Sequence, residues 1–333
     1  MKVFKSSLPL YLVIILICGA FAGGKLILGE KQAATTQVKV ENCPGTMQQI
    51  RLEDYEFVHP LLLTDVPEES ESLNEIKSKV LSYINQAQSS AQADEVSVYF
   101  RRLNNGAYFC INPNTTYNPA SMIKIVYLIT YIKMIEKNPA VINQKIYFER
   151  HYSQGNNQNI KDFELKERTN YSVKELLLAM IMHSDNDATM LLSQNMNNQI
   201  YNKIFTDLDI PIPNPAAEYF INATDFSKFF RVLYSAAYSN TDLSEFALEL
   251  LTKSTFQDGL RKGLEPNVVM AHKFGERIIG QKAQLHEFGI VFYKGSPYLI
   301  GVMTKGNALP QLSQIIGDIS RIAFDNYKAL ANS

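Results

Sequence analysis

Strand-like segments near both ends of the chain, separated by a helical middle, most constrain the fold. Val96–Phe100 and Ala107–Ile111 flank Asn105-Gly106, and Asn-Gly is the pair that adopts the positive backbone angles of a tight hairpin turn. Residues 268–275 are strand-like again, and 288–293 and 298–304 form a second hairpin; the stretch between the N-terminal and C-terminal strands has helical periodicity. The pattern predicts an α+β fold with one sheet built from both termini and the helical middle inserted as a second lobe.

The chain divides into three parts by composition. Residues 1–29 form a signal peptide or membrane anchor, and residues 30–69 form a linker with a packed arm at Tyr55 to Leu63. Residues 70–333 form the folded domain. Within it, we predict a helical lobe at about 121–223 between sheet halves at 70–120 and 224–333.

The N-terminal part has the pattern of an export signal. Lys2 and Lys5 precede an apolar run from Leu8 to Ala22. Ala20-Phe21-Ala22 is a candidate cleavage site for a signal peptide. The polar segment that follows would instead suit a tether behind an uncleaved membrane anchor, so the sequence allows both alternatives. Both alternatives predict that the domain lies outside the cytoplasmic membrane. In an oxidising compartment Cys43 and Cys110 could pair, or both could be buried free thiols.

Charge and motifs exclude several classes of function. The 333 residues carry a formal net charge of -1, without the basic excess of a nucleic-acid-binding protein. The sequence has no glycine-rich phosphate loop, and its five histidines lack metal-ligand spacing. We therefore expect no cofactor, no metal and no nucleic-acid partner, and a monomer.

Ser121 and Lys124 form the first candidate catalytic pair. Asn118 is expected to cap a helix and Pro119 to occupy its first turn, so residues three apart share a face. A lysine kept neutral by burial can take the proton of a serine hydroxyl, and free N–H groups at the helix start favour negative charge on an attacked carbonyl oxygen. The pair alone is also compatible with an ordinary capped amphipathic helix.

Two further motifs follow along the chain. A capping box at Ser172 to Glu175 begins a helix that leads into Ser184-Asp185-Asn186, and a strand carries Lys273-Phe274-Gly275. Alternatively, Ser184 and Asn186 could only cap a helix, and Lys273 could only protect an edge strand. We expect Asp185 to be structural, Thr224 to cap the next helix, and three histidines to pack or hydrogen-bond, namely His183, His272 and His286.

In this order the three motifs resemble the S-x-x-K, S-D-N and K-[TS]-G elements of class A β-lactamases and penicillin-binding proteins. The resemblance covers about residues 70 to 333. It implies a β-lactamase/D,D-peptidase-like fold with a five-stranded antiparallel sheet flanked by helices, plus the inserted all-helical lobe. It also implies an acyl-enzyme mechanism.

The resemblance assigns a role to each motif residue. Ser121 would be the acylated nucleophile and Lys124 its base, while Ser184 would relay a proton to the leaving nitrogen. Asn186 would hold the substrate amide and help to fix Lys124. Lys273 would supply positive charge to a substrate carboxylate, and the backbone N–H groups of Ser121 and Glu276 would form the oxyanion hole.

The sequence departs from the family pattern in two places. Phe274 replaces a Thr or Ser whose hydroxyl donates a hydrogen bond to the substrate carboxylate. The site loses this hydrogen bond, unless the Phe274 ring points into the core and another group donates instead. The second departure concerns the glutamate that activates water for deacylation in class A β-lactamases, within the motif E-x-x-L-N. Glu218, in Glu218-Tyr219-Phe220-Ile221-Asn222, is the tentative counterpart, on a shortened loop.

Three functional hypotheses follow. The first is an exported serine hydrolase of the class A β-lactamase type, acylated at Ser121 by a β-lactam or related amide. The second is a D,D-peptidase that acts on cell-wall stem peptides of peptidoglycan, and without a deacylating base its acyl-enzyme would persist. The third is a surface-anchored binding protein that keeps the fold without turnover, which Phe274 supports.

Overall fold

The computed structural model describes residues 49–52, 58–65, 68–152 and 159–331. Its strands are β1 Gln49–Arg51, β2 Leu61–Thr64, β3 Glu95–Arg102, β4 Tyr108–Ile111, β5 Thr116–Tyr117, β6 Lys145–Phe148, β7 Thr169–Ser172, β8 Ile221–Asn222, β9 Val269–Ile279, β10 Lys282–Phe292 and β11 Tyr298–Gly306. Its α-helices are α1 Asn74–Ser89, α2 Lys124–Lys137, α3 Val173–Met182, α4 Asn186–Asn195, α5 Asn198–Asp207, α6 Ala223–Tyr234, α7 Thr241–Thr252 and α8 Leu309–Ala331.

The main sheet is antiparallel and five-stranded, in the order β4-β3-β11-β10-β9. The hairpin of β3 and β4 comes from the N-terminal side, and β9 to β11 come from the C-terminal side, so the predicted α+β fold with a sheet from both termini is confirmed. Gly106 has a φ of +77°, the backbone angle for which Asn-Gly was expected. Strand β9 lies at one edge of this sheet.

Each face of the sheet buries a separate apolar cluster. Phe100, Val302 and Phe274 point to the face covered by α1 and α8. Tyr99, Phe288 and Met303 point to the other face, against the helices of the lobe. This alternation is that of a sheet buried on both sides, and it decides which side chains of β9 can face the lobe.

The helical part of the chain extends beyond the sequence-based boundary at 223. Helices α6 and α7 pack in the same cluster as α2 and α3, and the sheet resumes only with β9. The predicted capping box is present, since the Ser172 hydroxyl accepts from the Glu175 N–H and the Glu175 carboxylate accepts from the Ser172 N–H. The predicted Thr224 cap is wrong, because Asn222 accepts the Asp225 N–H at 2.8 Å and caps α6.

A short arm precedes the domain and is tied to it by charge. β1 and β2 pair antiparallel, and Leu62 and Leu63 are buried in the lobe-side cluster. Asp65, directly after β2, accepts from Arg101 at 2.9 Å and from Arg231 at 2.8 Å. Residues 53–57, which include the predicted start of the arm, lie outside the described residues.

Several sequence predictions concern residues outside the described ranges, among them the export signal and Cys43. Cys110 is buried and disulfide-bonded, so it is not a free thiol. Among the described residues, no helix is both long enough and apolar enough to cross a membrane.

Candidate active site

Ser121 lies in a tight turn rather than in the first turn of an α-helix. Ala120–Ile123 form a 3-10 helix, and α2 begins only at Lys124. The Asn118 side chain accepts the Ala120 N–H at 2.9 Å, but Ala120 has a φ of +47°, so Asn118 closes a turn instead of capping the helix. The predicted cap is therefore wrong. The left-handed residue before Ser121 fixes the direction in which the serine leaves the turn.

Gly275 allows the edge strand to approach this turn. A Cβ atom built on Gly275 would lie 2.5 Å from the carbonyl oxygen of Pro119 and 2.8 Å from the backbone nitrogen of Met122. Both neighbours are backbone atoms that flank Ser121, so they cannot rotate away. The glycine of the third motif thus brings β9 into direct contact with the serine turn.

For the acylation of Ser121 that the three motifs imply, we expect Gly275→Ala to slow the reaction by about 10²-fold, because moving β9 away from the turn by about 1 Å misplaces the serine. The rate of adduct formation by intact mass measures this effect. Gly280→Ala is the control in the turn that follows the same strand, since no atom lies within 4 Å of the added Cβ. Its φ of +59° makes this substitution locally strained, but it disturbs no contact with the serine turn. Equal loss in both variants would contradict the close-approach explanation.

Lys124 is buried and fully surrounded by acceptors. Its Nζ donates to the Ser184 carbonyl oxygen, to the Ser184 hydroxyl at 3.2 Å and to Asn186 Oδ1 at 2.8 Å. Burial lowers the pKa of Lys124 to about 7, with Asp185 and Glu276 opposing the shift through their negative charge. At neutral pH a large fraction of this amine is therefore unprotonated and able to act as a base.

Ser184 joins the first motif to the third. Its hydroxyl lies 3.2 Å from Lys124 Nζ and 2.9 Å from Lys273 Nζ, and its φ of +55° holds it in a left-handed turn between α3 and α4. Lys273 is also fully buried. Burial lowers its pKa well below the usual lysine value, and the nearby Lys124 lowers it further. The serine hydroxyl is thus placed between two amines that each lose a proton easily.

The Phe274 ring lies in the apolar cluster on the opposite face of the sheet, where it still contacts the amine of Lys273. Because side chains alternate along β9, Lys273 and Gly275 face the lobe, whereas Phe274 faces the opposite cluster. Its ring stacks on Phe256 with centroids 4.1 Å apart, and Lys273 Nζ lies 4.3 Å from the ring centroid and donates to the Phe274 carbonyl oxygen at 2.8 Å. The core orientation considered for Phe274 is therefore the one observed.

The other residues of the second motif have separate tasks. Asn186 is the first residue of α4 and its amide oxygen holds Lys124. Asp185 accepts the Ala188 N–H at 2.6 Å and caps α4, and burial raises its pKa. The structural role predicted for Asp185 is confirmed.

The two glutamates predicted in or near the site take different positions. The Glu276 carboxylate is bound by three donors, the Asn159 N–H at 2.7 Å, the Asn159 side-chain amide at 2.5 Å and the Ile160 N–H at 3.0 Å. Glu218 is exposed, forms an ion pair with Arg277 at 2.5 Å and accepts from the Asn118 side chain at 3.1 Å. The oxyanion-hole and deacylation roles of these residues remain predictions.

The three histidines make hydrogen bonds within the fold, as predicted. His183 contacts Asp162 at 3.0 Å, and His286 contacts the carbonyl oxygen of Asn118 at 3.1 Å. His272 is buried and lies 2.6 Å from Glu287. Within the described ranges, no group of three or more His, Cys, Asp or Glu side chains could hold a metal ion.

Two buried acids near the motifs, Asp187 and Glu287, were not found from the sequence. Asp187 accepts the Tyr152 N–H at 2.9 Å and contacts His151 at 2.7 Å, and Glu287 accepts the Leu260 N–H at 2.7 Å. Asp187 follows the second motif directly, and that position was its only sequence signal. Glu287 stands in a strand pattern where no local feature marks it as buried.

Comparison with known proteins assigns the chain to a family. Residues 79–327 match the Beta-lactamase enzyme family, which is most of the chain, so the protein belongs to that family. No curated protein matches the sequence significantly.

Solved structures share the fold at low sequence identity. A point mutant of PBP-A in an acyl-enzyme complex with penicillin G has a TM-score of 0.64 and 18% identity, over 77% of this chain and 97% of the other. A β-lactamase from Chitinophaga pinensis has a TM-score of 0.64 and 18% identity, over 76% and 99%. A class A β-lactamase from Mycobacterium abscessus has a TM-score of 0.63 and 16% identity, over 76% and 99%. At this identity the likeness establishes the β-lactamase fold.

Proposed function

We propose that this protein is an active-site serine hydrolase that is acylated at Ser121 by a β-lactam or a related amide. The observation that carries the proposal is the buried network of Lys124, Ser184, Asn186 and Lys273 beside the serine turn. A structural helix cap would not require two fully buried lysines. Burying two amines this close together opposes folding, and a site that needs unprotonated lysine explains why they are there.

In this mechanism the Ser121 oxygen bonds to the substrate carbonyl carbon and its proton passes to Lys124. The resulting oxyanion is stabilised by the N–H groups of Ser121 and Glu276. The carbon–nitrogen bond of the amide then breaks, and the Ser184 hydroxyl gives its proton to the leaving nitrogen and receives one from Lys124. The product of this half-reaction is an ester between Ser121 and the acyl group.

Release of the acyl group requires a second base, and the position of Glu218 bears on its efficiency. Glu218 is an exposed residue whose carboxylate is bound to Arg277 and Asn118. Both contacts are made by Oε1, so a water molecule would have to compete with two donors for this oxygen, which disfavours Glu218 as the base that activates water. This favours a long-lived acyl-enzyme and makes a D,D-peptidase acting on peptidoglycan stem peptides the second candidate.

The proposal includes export, with the domain outside the cytoplasmic membrane and the N-terminal segment either anchoring it or removed by cleavage. The basic and apolar pattern of residues 2–22 supports this location. The disulfide bond of Cys110 supports it independently, because disulfides persist in oxidising compartments.

The test is intact-mass measurement of the soluble part from about residue 40 after incubation with penicillin G, a chromogenic cephalosporin and an acyl-D-Ala-D-Ala peptide. We expect a covalent adduct with at least one of them, absent in Ser121→Ala. Rapid loss of the adduct with coloured product would identify a β-lactamase, and a persistent adduct the D,D-peptidase type. Absence of both an adduct and coloured product would contradict the proposal and favour a binding protein.

A further inference from the structure

We infer that His286 is a positioning residue for acylation, because its imidazole N–H holds the backbone of the turn that presents Ser121. The inference rests on the proposed function and adds a residue outside the three motifs to it. His286 lies on β10, and its Nε2 is 3.1 Å from the carbonyl oxygen of Asn118, three residues before Ser121. The ring acts through Asn118 and takes no part in the proton transfers.

His286 and Gly275 contact the same turn from neighbouring strands. The two residues are directly paired between β10 and β9, so both face the lobe side of the sheet. Gly275 lies against the Pro119 carbonyl oxygen, which would be 2.5 Å from an added Cβ, and His286 binds the preceding carbonyl oxygen, that of Asn118. Gly275 therefore provides the space for the close approach, and His286 provides a directed hydrogen bond that fixes it.

The partners of the imidazole ring define which nitrogen carries the proton. The backbone N–H of Thr304 on β11 lies 3.1 Å from His286 Nδ1, and a backbone N–H can only donate, so Nδ1 is the acceptor. Burial lowers the pKa of His286 to about 3, so the ring is neutral at pH 7 and its one proton is on Nε2. The Nε2–H group therefore donates to the Asn118 carbonyl oxygen, with the side-chain oxygen of Gln284 as a second acceptor at 3.2 Å.

The ring is also held in place by its neighbours. His286 is fully buried, and the ring of Tyr117 packs edge-on against it with centroids 5.2 Å apart. Tyr117 directly precedes Asn118, and its hydroxyl lies 3.0 Å from the Ser97 hydroxyl on β3. A donor fixed on a central strand by packing and by a second hydrogen bond holds its partner more precisely than a donor on a loop.

The serine turn needs such a hold because its backbone is unfavourable. Ala120 has a φ of +47°, in the left-handed region that residues with a Cβ rarely adopt, and this conformation persists only where the surrounding structure fixes it. Asn118 fixes the turn from within, since its side chain accepts the Ala120 N–H at 2.9 Å, and His286 fixes Asn118 from the sheet. Without the imidazole donor the turn would relax, and Ser121 would move relative to Lys124.

Two replacements separate the two nitrogens of the imidazole. His286→Gln keeps an N–H donor at the position of Nε2 but has no acceptor for Thr304, whereas His286→Asn keeps an acceptor at the position of Nδ1 but has no donor that reaches Asn118. The rate of adduct formation on Ser121 is measured by intact mass over a range of penicillin G concentrations. If penicillin G does not react with the wild-type protein, the chromogenic cephalosporin or the acyl-D-Ala-D-Ala peptide replaces it.

This measurement separates the rate constant at saturation from the half-saturating concentration. We expect His286→Asn to lower the rate constant at saturation by at least about tenfold, because the serine is misplaced. His286→Gln should keep it within about threefold of wild type, since the donor to Asn118 remains. Both variants should keep the half-saturating concentration within about threefold, because the groups that bind the substrate are unchanged.

A third variant and a control guard against loss of folding. His286→Met fills the space without any donor, so it should react as slowly as His286→Asn, and it replaces that variant if thermal unfolding shows His286→Asn to be unfolded. Ser320→Ala is the control for the loss of a buried hydrogen bond, since the Ser320 hydroxyl donates to the Leu260 carbonyl oxygen at 2.7 Å beneath α8. It should leave the rate constant at saturation within about twofold, because it is remote from the serine turn.

The outcomes distinguish positioning from a structural role. Equal slowing in His286→Asn and His286→Gln would mean that the ring only stabilises the sheet, and a change confined to the half-saturating concentration would mean that it acts on substrate binding. Either result, or a wild-type rate constant in a folded variant without the donor, would overturn the inference and leave the proposed function intact. If none of the three probes acylates the wild-type protein, the proposed function fails and the inference fails with it.

Discussion

Replacement of Lys124 with methionine is expected to slow acylation of Ser121 by about 10²- to 10⁴-fold, the range in which a positioned general base contributes. Methionine has a similar length and no charge, so it can occupy the buried position without an unpaired ammonium. The serine itself remains in its turn, and residual labelling should be measurable. The assay is the rate of adduct formation by intact mass with the most reactive β-lactam.

The pH dependence of the wild-type rate follows from the same residue. Only the neutral amine can accept the Ser121 proton, and the pKa of Lys124 is lowered by burial to about 7. The acylation rate should therefore rise with pH up to about 7 and level off above it, whereas an exposed lysine would give a rise that continues to much higher pH. In Lys124→Met this rise should disappear, because the titrating group is gone.

Lys161→Met provides the control for Lys124→Met. Lys161 is partly exposed and pairs with Glu164 at 2.9 Å, outside the network around Ser184. Its replacement should leave the acylation rate within about twofold, since exposed ion pairs contribute little. Thermal unfolding would show whether the Lys124→Met protein is folded. If it is folded and Ser121 is still acylated at the wild-type rate, another group takes the Ser121 proton.

The fold was predictable where local pattern and tertiary structure agree. Asn105-Gly106 between two alternating apolar runs specified the β3–β4 hairpin, and Ser172 with Glu175 specified the start of α3. The three motifs placed Ser184 and Lys273 in one site, and the structure brings their side chains to 2.9 Å. Motif order carried this prediction, because nothing in the spacing of 89 residues between them implies contact.

Other features depend on long-range packing and were not predictable. The turn at Ala120, which replaces the expected helix cap, lies where Gly275 allows β9 to approach Pro119 and Met122, and no local pattern indicates this contact. Asn222 caps α6 instead of Thr224, a shift of two residues that the sequence leaves open, since both residue types are good caps. The hydrogen bonds of Glu276 to Asn159 and Ile160 join residues 117 and 116 positions apart, respectively.

Replacement of Asp65 with alanine is expected to lower the free energy of unfolding by about 3–5 kcal/mol, the cost of removing one partner from a buried ion pair. Asp65 is the shared anion of Arg101 and Arg231, whose side chains are only 10% and 5% exposed. Both guanidinium groups also donate to the Thr64 carbonyl oxygen, but no other carboxylate is described as their ion-pair partner. Without Asp65, two buried positive charges on β3 and α6 lose their counter-ion, and β2 loses its charged attachment to the domain.

Denaturant unfolding of Asp65→Ala and Asp65→Asn measures this loss, with the asparagine variant less affected because its amide oxygen still accepts one hydrogen bond. Asp94→Ala is the matched control, because Asp94 pairs with Lys282 at 2.7 Å while their side chains are 38% and 48% exposed. Its effect should stay below about 1 kcal/mol. Equal changes in the Asp65 and Asp94 variants would mean that the two arginines find compensation in water, and that the arm before residue 70 contributes little to the stability of the domain that holds Ser121.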